Sequence, residues 1–278
     1  MKYENTSLAY YNEKRHNKEK IIYSIIAFGI GAFVGGLAGV FIFLNITGGS
    51  AEPSQAISAP TLAAESFGTP VGIMEVEDQV AAMANSNAAP DQPETTLEPV
   101  VYRIVSAESE ARFSVYETFP VGTAVGRTRE IAGDVYVDFN TPSNSQLGTI
   151  RVNLRTLVTD DPDRDKSIRC CVLLTARSEY EFADFVPIQI SGYPEQIVFG
   201  QPNEGQITGN LTLRGVTQPV TFNVLLTVLS PEELRGLASA TVMRSDFSII
   251  NDADNGFDYH GVAEEIALEF EFIARPAP

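Results

Sequence analysis

Groups able to move a proton, attack an electrophile or ligate a metal are scarce in this chain beyond residue 100. The one histidine there is His260, in the polar stretch NDADNGFDYHG. Catalysis needs a convergent acid, base and nucleophile, and no Gly-x-Ser-x-Gly elbow accompanies this histidine. It reads as an exposed loop residue, and no catalytic residue is assigned. Cys170 and Cys171 are neighbours and the only cysteines. One histidine and one cysteine pair fall short of a zinc ligand set. On an extended strand adjacent side chains point to opposite faces, so two unbonded thiols are expected, one inward and one outward, with a strained vicinal disulfide as the alternative. The run DDPDRD, Asp160 to Asp165, invites calcium. A calcium loop starting at Asp161 needs Gly sixth and Glu twelfth, where Lys166 and Val172 stand. Asp252, Asp254 and Asp258 lack the spacing too. Both acidic loops read as solvated turns, Arg164 and Asp165 making local ion pairs, and neither metal nor cofactor is expected.

What remains is apolar chemistry, carried by residues that alternate. Ile266, Leu268, Phe270 and Phe272 alternate with Glu265, Ala267, Glu269 and Glu271. One greasy and one acidic face make a half-buried strand. Val135, Val137 and Phe139 form a second set, Ile150, Val152 and Leu154 a third, and Ala111, Phe113 and Val115 a fourth. In GNLTLRGVTQPVTFNV, Gly209 to Val224, Leu211 and Leu213 lead into a turn, and Val220, Phe222, Val224 and Leu226 lead out. Gly215 suits the turn, and Pro219 sits at a strand start, one of the few strand positions that tolerate it. About eight strands are expected after Val100, with helix only around Ser167–Leu174 and Pro231–Leu234. Many antiparallel strands with one apolar face form a sandwich or close into a barrel, and the pattern alone does not choose.

The first hundred residues are of another kind. Ile21 to Leu44 is 24 residues without a charge, about 36 Å as a helix and enough for a hydrocarbon core of about 30 Å. Lys14, Arg15, Lys18 and Lys20 precede it, and no Lys or Arg follows until Arg103. The positive-inside rule then predicts a cytoplasmic tail over 1–20, a single uncleaved span over 21–44, and everything later outside the cell membrane. Gly31, Gly35 and Gly39 share one helix face, a candidate homodimer contact. Residues 45–99 hold eight acids, no base and prolines at 53, 60, 70, 90, 93 and 99, which predicts a disordered tether. Residues 100–278 carry 14 basic and 25 acidic side chains, a net −11. Such a domain is repelled by phosphate backbones, which excludes nucleic acid as a partner.

The wording of the strands carries more than their period. GNLTLRGVTQPVTFNV resembles the signature hairpin of the YceI-like family. SEARFSVYETFPVGTAVGRTREIAGDVYVDF (Ser109 to Phe139), DRDKSIR (Asp163 to Arg169) and MRSDFSI (Met243 to Ile249) are similar to further family motifs, in the same order. The resemblance spans roughly Val101 to Ile273. Ser248 stands where the family usually has glycine after Asp-Phe, and the histidine often found after the Arg-Asp loop is absent. The resemblance implies an all-β protein, an extended antiparallel eight-stranded barrel like a lipocalin, whose lumen holds a polyisoprenoid or other long apolar lipid. Lumen positions would then be Phe113, Val115, Val135, Val137, Phe139, Leu211, Leu213, Phe222, Val224, Phe270 and Phe272. Arg127, Arg164, Arg214 and Arg244 lie inside the motifs and are candidates for a lipid head group, with pairing to neighbouring acids as the alternative. The function expected is a membrane-anchored, extracytoplasmic lipid carrier or store and not an enzyme. Its rival is a barrel plugged by Phe113, Phe139, Phe222 and Phe270, serving as an envelope structural or protein-interaction module.

Overall fold

The structure, a computed structural model, describes residues 28, 29, 31, 32, 35, 36, 39, 50–62, 97–118, 121–249 and 261–278. Two compact units are formed, Met1–Gly49 and Ser50–Pro278. In the first, the described residues, Gly31, Gly35 and Gly39 among them, are helical and exposed. A methyl added at any of these three glycines would meet nothing within 4 Å. Among the described residues no helix is long and apolar enough to cross a membrane. Most of the expected span, all of the expected cytoplasmic tail, residues 45–49 and 63–96 of the expected tether, and the loop with Asp252, Asp254, Asp258 and His260 lie outside the described residues.

The second unit is one curled antiparallel sheet. Its strands are β1 (Val100–Ile104), β2 (Glu110–Thr118), β3 (Val121–Thr128), β4 (Ile131–Ala132), β5 (Asp134–Val137), β6 (Gln146–Leu147), β7 (Ile150–Asn153), β8 (Phe182–Ser191), β9 (Pro202–Leu213), β10 (Val216–Ser230), β11 (Glu233–Met243) and β12 (Val262–Pro276). The order is β4-β7-β8-β9-β10-β11-β12-β1-β5-β6, with β2 paired to β12 and β3 to β2. Among the described residues the sheet therefore has twelve strands where the alternation suggests about eight, because short pieces such as β4 and β6 are too brief to show a period. β12 is shared: β11 runs along one edge, while β2 and then β1 occupy the other. Paired backbone bonds between Arg127 and Val158, at 2.9 and 3.0 Å, fasten β3 to the segment after β7 and draw the sheet round.

The β9–β10 hairpin closes on two residues, Arg214 and Gly215, both at positive φ (53° and 75°). That is the turn whose twist suits a hairpin, and the Arg214 guanidinium steadies it by donating to the Ser248 carbonyl at 2.8 Å. Tyr102, Ile131, Leu234 and Ala274 are wholly buried and form a solid core where β1 meets β12. The Tyr102 hydroxyl donates to the Pro231 carbonyl at 2.9 Å. Pro231–Leu234 is thus a turn leading into β11 and not a helix. The Leu234 side chain is drawn into that core.

Between β7 and β8 the chain leaves the sheet. Helix α1 (Pro162–Ser167) is capped by Asp161, whose carboxylate accepts from the amides of Asp163 and Arg164, a standard role for aspartate there. It runs on into a π turn, Ile168–Val172. Helix near Ser167–Leu174 agrees with the sequence reading. Two free thiols do not: Cys170 and Cys171 are joined by a disulfide. That expectation assumed strand geometry. On the π turn the backbone is helical, and neighbouring side chains no longer oppose each other.

Candidate functional site

The curl encloses a cavity of about 430 Å³, within the range of roughly 300–1,000 Å³ common for ligand pockets. Its wall takes Phe113 and Val115 from β2, Val135 and Val137 from β5, Leu211 and Leu213 from β9, Phe222 and Val224 from β10, and Phe270 and Phe272 from β12. Alternation on five strands thus brings ten of the eleven expected side chains to one space. Phe139 is the exception. β5 ends at Val137, and Asp138 turns the chain by accepting from the amides of Asn140 and Thr141. Phe139 then packs on Phe199, with ring centroids 5.9 Å apart.

Other wall residues were not foreseen. Ala183 and Phe185 come from β8, whose pattern is broken by Pro187 at a register shift between Pro187 and Gln189, a place where sheets accept proline. Ile168, Val172 and Leu173, from the helical cap between β7 and β8, also line the cavity. Their periodicity is that of a helix shorter than three turns, too little to read.

The wall holds five phenylalanines of the sheet and still leaves a space, for a reason that lies in glycines. Phe113 faces Gly126 directly across β2–β3, and Phe272 faces Gly236 across β11–β12. A methyl at Gly126 would strike the Phe113 ring, and one at Gly236 the Phe272 ring. A methyl at Gly209 would lie 2.6 Å from Phe185 Cζ. Each ring therefore folds down onto bare backbone instead of projecting into the lumen. Phe185 also meets Phe222 edge-on, with centroids 5.1 Å apart, a preferred aromatic geometry.

The charged residues among those that line the cavity are Arg112, Glu117, Arg164, Glu204, Arg244 and Glu269. Arg164 and Arg244 border the cavity; Arg127 and Arg214 do not. Arg164 pairs with Glu117 at 3.2 Å and with Asp160. Arg244 pairs with Glu264 at 3.2 Å and donates to the Ile249 carbonyl at 2.7 Å. The Glu264 carboxyl is held below its ordinary pKa by hydrogen bonds from Ser245, with a smaller contribution from Arg244. Arg127 is exposed on β3 opposite Arg112, and Arg214 is committed to the hairpin. The acidic run is consumed locally: Asp161 caps α1, Asp165 accepts from Thr159, and Asp163 pairs with Lys166. Among the described residues no group of three or more His, Cys, Asp or Glu is placed to hold a metal.

Comparison with known proteins agrees with this geometry. Residues 102–274 match the model of the YceI-like domain. A UPF0312 protein of Enterobacter sp. (strain 638) is 27% identical over 132 residues, which are 46% of this chain and 64% of that protein, so the match spans just under two thirds of the relative's length. Among solved structures, BcnA of Burkholderia cenocepacia superposes with a TM-score of 0.51 at 18% identity, covering 61% of this chain and 98% of that one. A polyisoprenoid binding domain from Saccharophagus degradans, implicated in plant cell wall breakdown, gives 0.48 at 12% identity, covering 65% and 100%. At such identities the likeness is one of fold.

Proposed function

Because the chain belongs to the YceI-like family, we propose that its sheet domain holds a long apolar lipid of the polyisoprenoid class for carriage or sequestration. The observation that carries this reading is the cavity itself, walled by aliphatic and aromatic side chains and emptied by rings seated on glycine. Burying each CH₂ is favourable by about 0.8 kcal/mol, so a polyprenyl chain gains more per unit length in such a wall than any polar ligand. The head group lies at the rim near Arg164 and Arg244, and Arg127 and Arg214 take no part. The open space between these side chains favours this reading over its rival, a lumen plugged by Phe113, Phe139, Phe222 and Phe270. Ile21–Leu44 anchors the protein in the cell membrane with its tail in the cytoplasm and the domain outside, and Gly31, Gly35 and Gly39 offer the face on which two anchors pair. The reaction class is binding and not catalysis.

The test is native mass spectrometry of the full chain after gentle extraction, followed by exposure of lipid-free protein to vesicles containing polyprenol or polyprenyl phosphate. A retained mass matching a long-chain lipid, or stoichiometric uptake, is expected. Protein that emerges empty and takes up neither probe overturns the proposal.

A further inference from the structure

Residues 50–62 lie outside the stretch that matches the family, and their composition reads as free tether. In the structure they are fastened to the domain at three points. The Ser54 amide donates to Glu181 Oε1 at 2.8 Å. The Ser58 carbonyl accepts from Arg151 Nη1 at 3.4 Å. The Leu62 amide donates to Asp134 Oδ2 at 3.4 Å. Ile57, Ala59 and Leu62 are half-buried between exposed neighbours, as in an extended segment laid on a surface. Leu62 sits over Gly148, where a methyl would meet its Cγ at 3.2 Å.

The Ser54 contact reaches deepest. Glu181 is fully buried. Its Oε1 also accepts from Asn153 Nδ2 at 2.9 Å, and its Oε2 faces Arg155 Nη2 at 3.2 Å. Arg155 is itself buried and donates from Nε to the Thr175 carbonyl at 2.9 Å. Thr175, also buried, follows within two residues of Leu173, which lines the cavity together with Ile168 and Val172. A buried carboxylate persists only while donors satisfy it. Here one of its donors is supplied by the amide of a segment 127 residues away. The cap has no sheet ladder of its own, and the Arg155–Thr175 bond ties it to the segment after β7.

We propose that residues 50–62 form a strap that docks in cis on β7 and Glu181, and that its Ser54 end latches the Ile168–Thr175 cap over the cavity. Release of the strap takes a donor from Glu181, loosens the Glu181–Arg155–Thr175 chain and raises the opening rate of the cap, and with it the exchange of any occupant. The last step rests on the lipid reading above; the latch does not.

The experiment uses the full chain. Ser54→Pro removes the amide donor at an exposed position, and Ser54→Thr keeps it. Hydrogen–deuterium exchange by mass spectrometry reads the cap, where the Leu173 amide is bonded to the Ile168 carbonyl and the Arg177 amide to that of Leu174. In Ser54→Pro these amides are expected to exchange about tenfold faster, the equivalent of roughly 1.4 kcal/mol, with β9–β12 unchanged and Ser54→Thr like the wild type. Unchanged cap exchange overturns the latch, as does equal acceleration throughout β9–β12. A parallel measurement follows polyprenol leaving the loaded protein for phosphatidylcholine vesicles, faster in Ser54→Pro. If the cap loosens while polyprenol never binds, the latch stands and the lipid reading falls. If polyprenol binds and leaves every variant at one rate, the coupling of strap to exchange falls.

Discussion

Phe113, Phe185 and Phe272 lie against glycines, and the space they leave is the cavity. Gly236→Ala therefore acts at a distance of one side chain: the Phe272 ring must swing into the lumen. We expect bound lipid to fall well below one per chain in native mass spectra, while the domain stays folded at the roughly 1–3 kcal/mol typical of overpacking. A second residue-level prediction concerns Ser248, at φ 58° in the left-handed region. A non-glycine residue there costs roughly 1–2 kcal/mol, partly offset by the greater unfolded-state freedom of glycine. Ser248→Gly should therefore stabilise by up to about 1 kcal/mol in urea melts. Alternation within single strands was enough to place ten of the eleven expected side chains on the cavity wall, Phe139 being the exception. It said nothing of ring on glycine, because the pairings Phe113–Gly126 and Gly236–Phe272 belong to the register between strands. Likewise four arginines inside similar motifs looked equivalent, and only the rim separates Arg164 and Arg244 from Arg127 and Arg214.

At the scale of elements, the cap and the strap were the least legible parts. The Cys170–Cys171 bond joins neighbours, so it closes almost no chain and removes little entropy from the unfolded state. Reductant should then leave the melting temperature nearly unchanged, while alkylation after denaturation should label both cysteines only in reduced samples. Labelling without reductant would show the bond to be absent. The strap predicts a pH dependence. Burial alone would raise the Glu181 pKa, but hydrogen bonds from Ser54 and Asn153 and the charge of Arg155 outweigh it and hold the carboxyl below its ordinary value. The unfolded chain then binds a proton first, so this stabilisation is complete above the ordinary glutamate pKa of about 4.3 and is lost as pH falls through the lower folded value. Urea midpoints of the full chain should drop in that acid range, and less steeply in Ser54→Pro. The segment was read as tether because low hydrophobicity argues against a core of its own. It needs none, since Ile57, Ala59 and Leu62 borrow the surface of the sheet.

For the whole molecule, the charge asymmetry around Ile21–Leu44 makes a topological prediction. Protease added to intact cells should remove the sheet domain and leave a small membrane-bound fragment carrying Lys14, Arg15, Lys18 and Lys20. Spontaneous release of the mature domain would contradict an uncleaved anchor. The all-β class and the family were legible because period-two strands and four ordered motifs run through most of the chain beyond residue 100. The strand count was not. β12 spans 15 residues and serves three partners, and a single alternating run cannot show how many neighbours it will acquire.

That sharing of β12 has a consequence for how the protein is made. The Ser109 hydroxyl and the Ile273 backbone meet across 164 residues, and β1 and β2, which pair with β5 and β3, gain their second neighbour only when β12 arrives. Until the ribosome has delivered that stretch, the sheet made by the strands synthesised first stays open along the edges that β12 will fill. Long-range pairing of this sort is slow and prone to aggregate. The nascent protein is accordingly a demanding client for chaperones, and substitutions that weaken β12 should lower yield in the cell more than they lower the stability of the molecules that do fold.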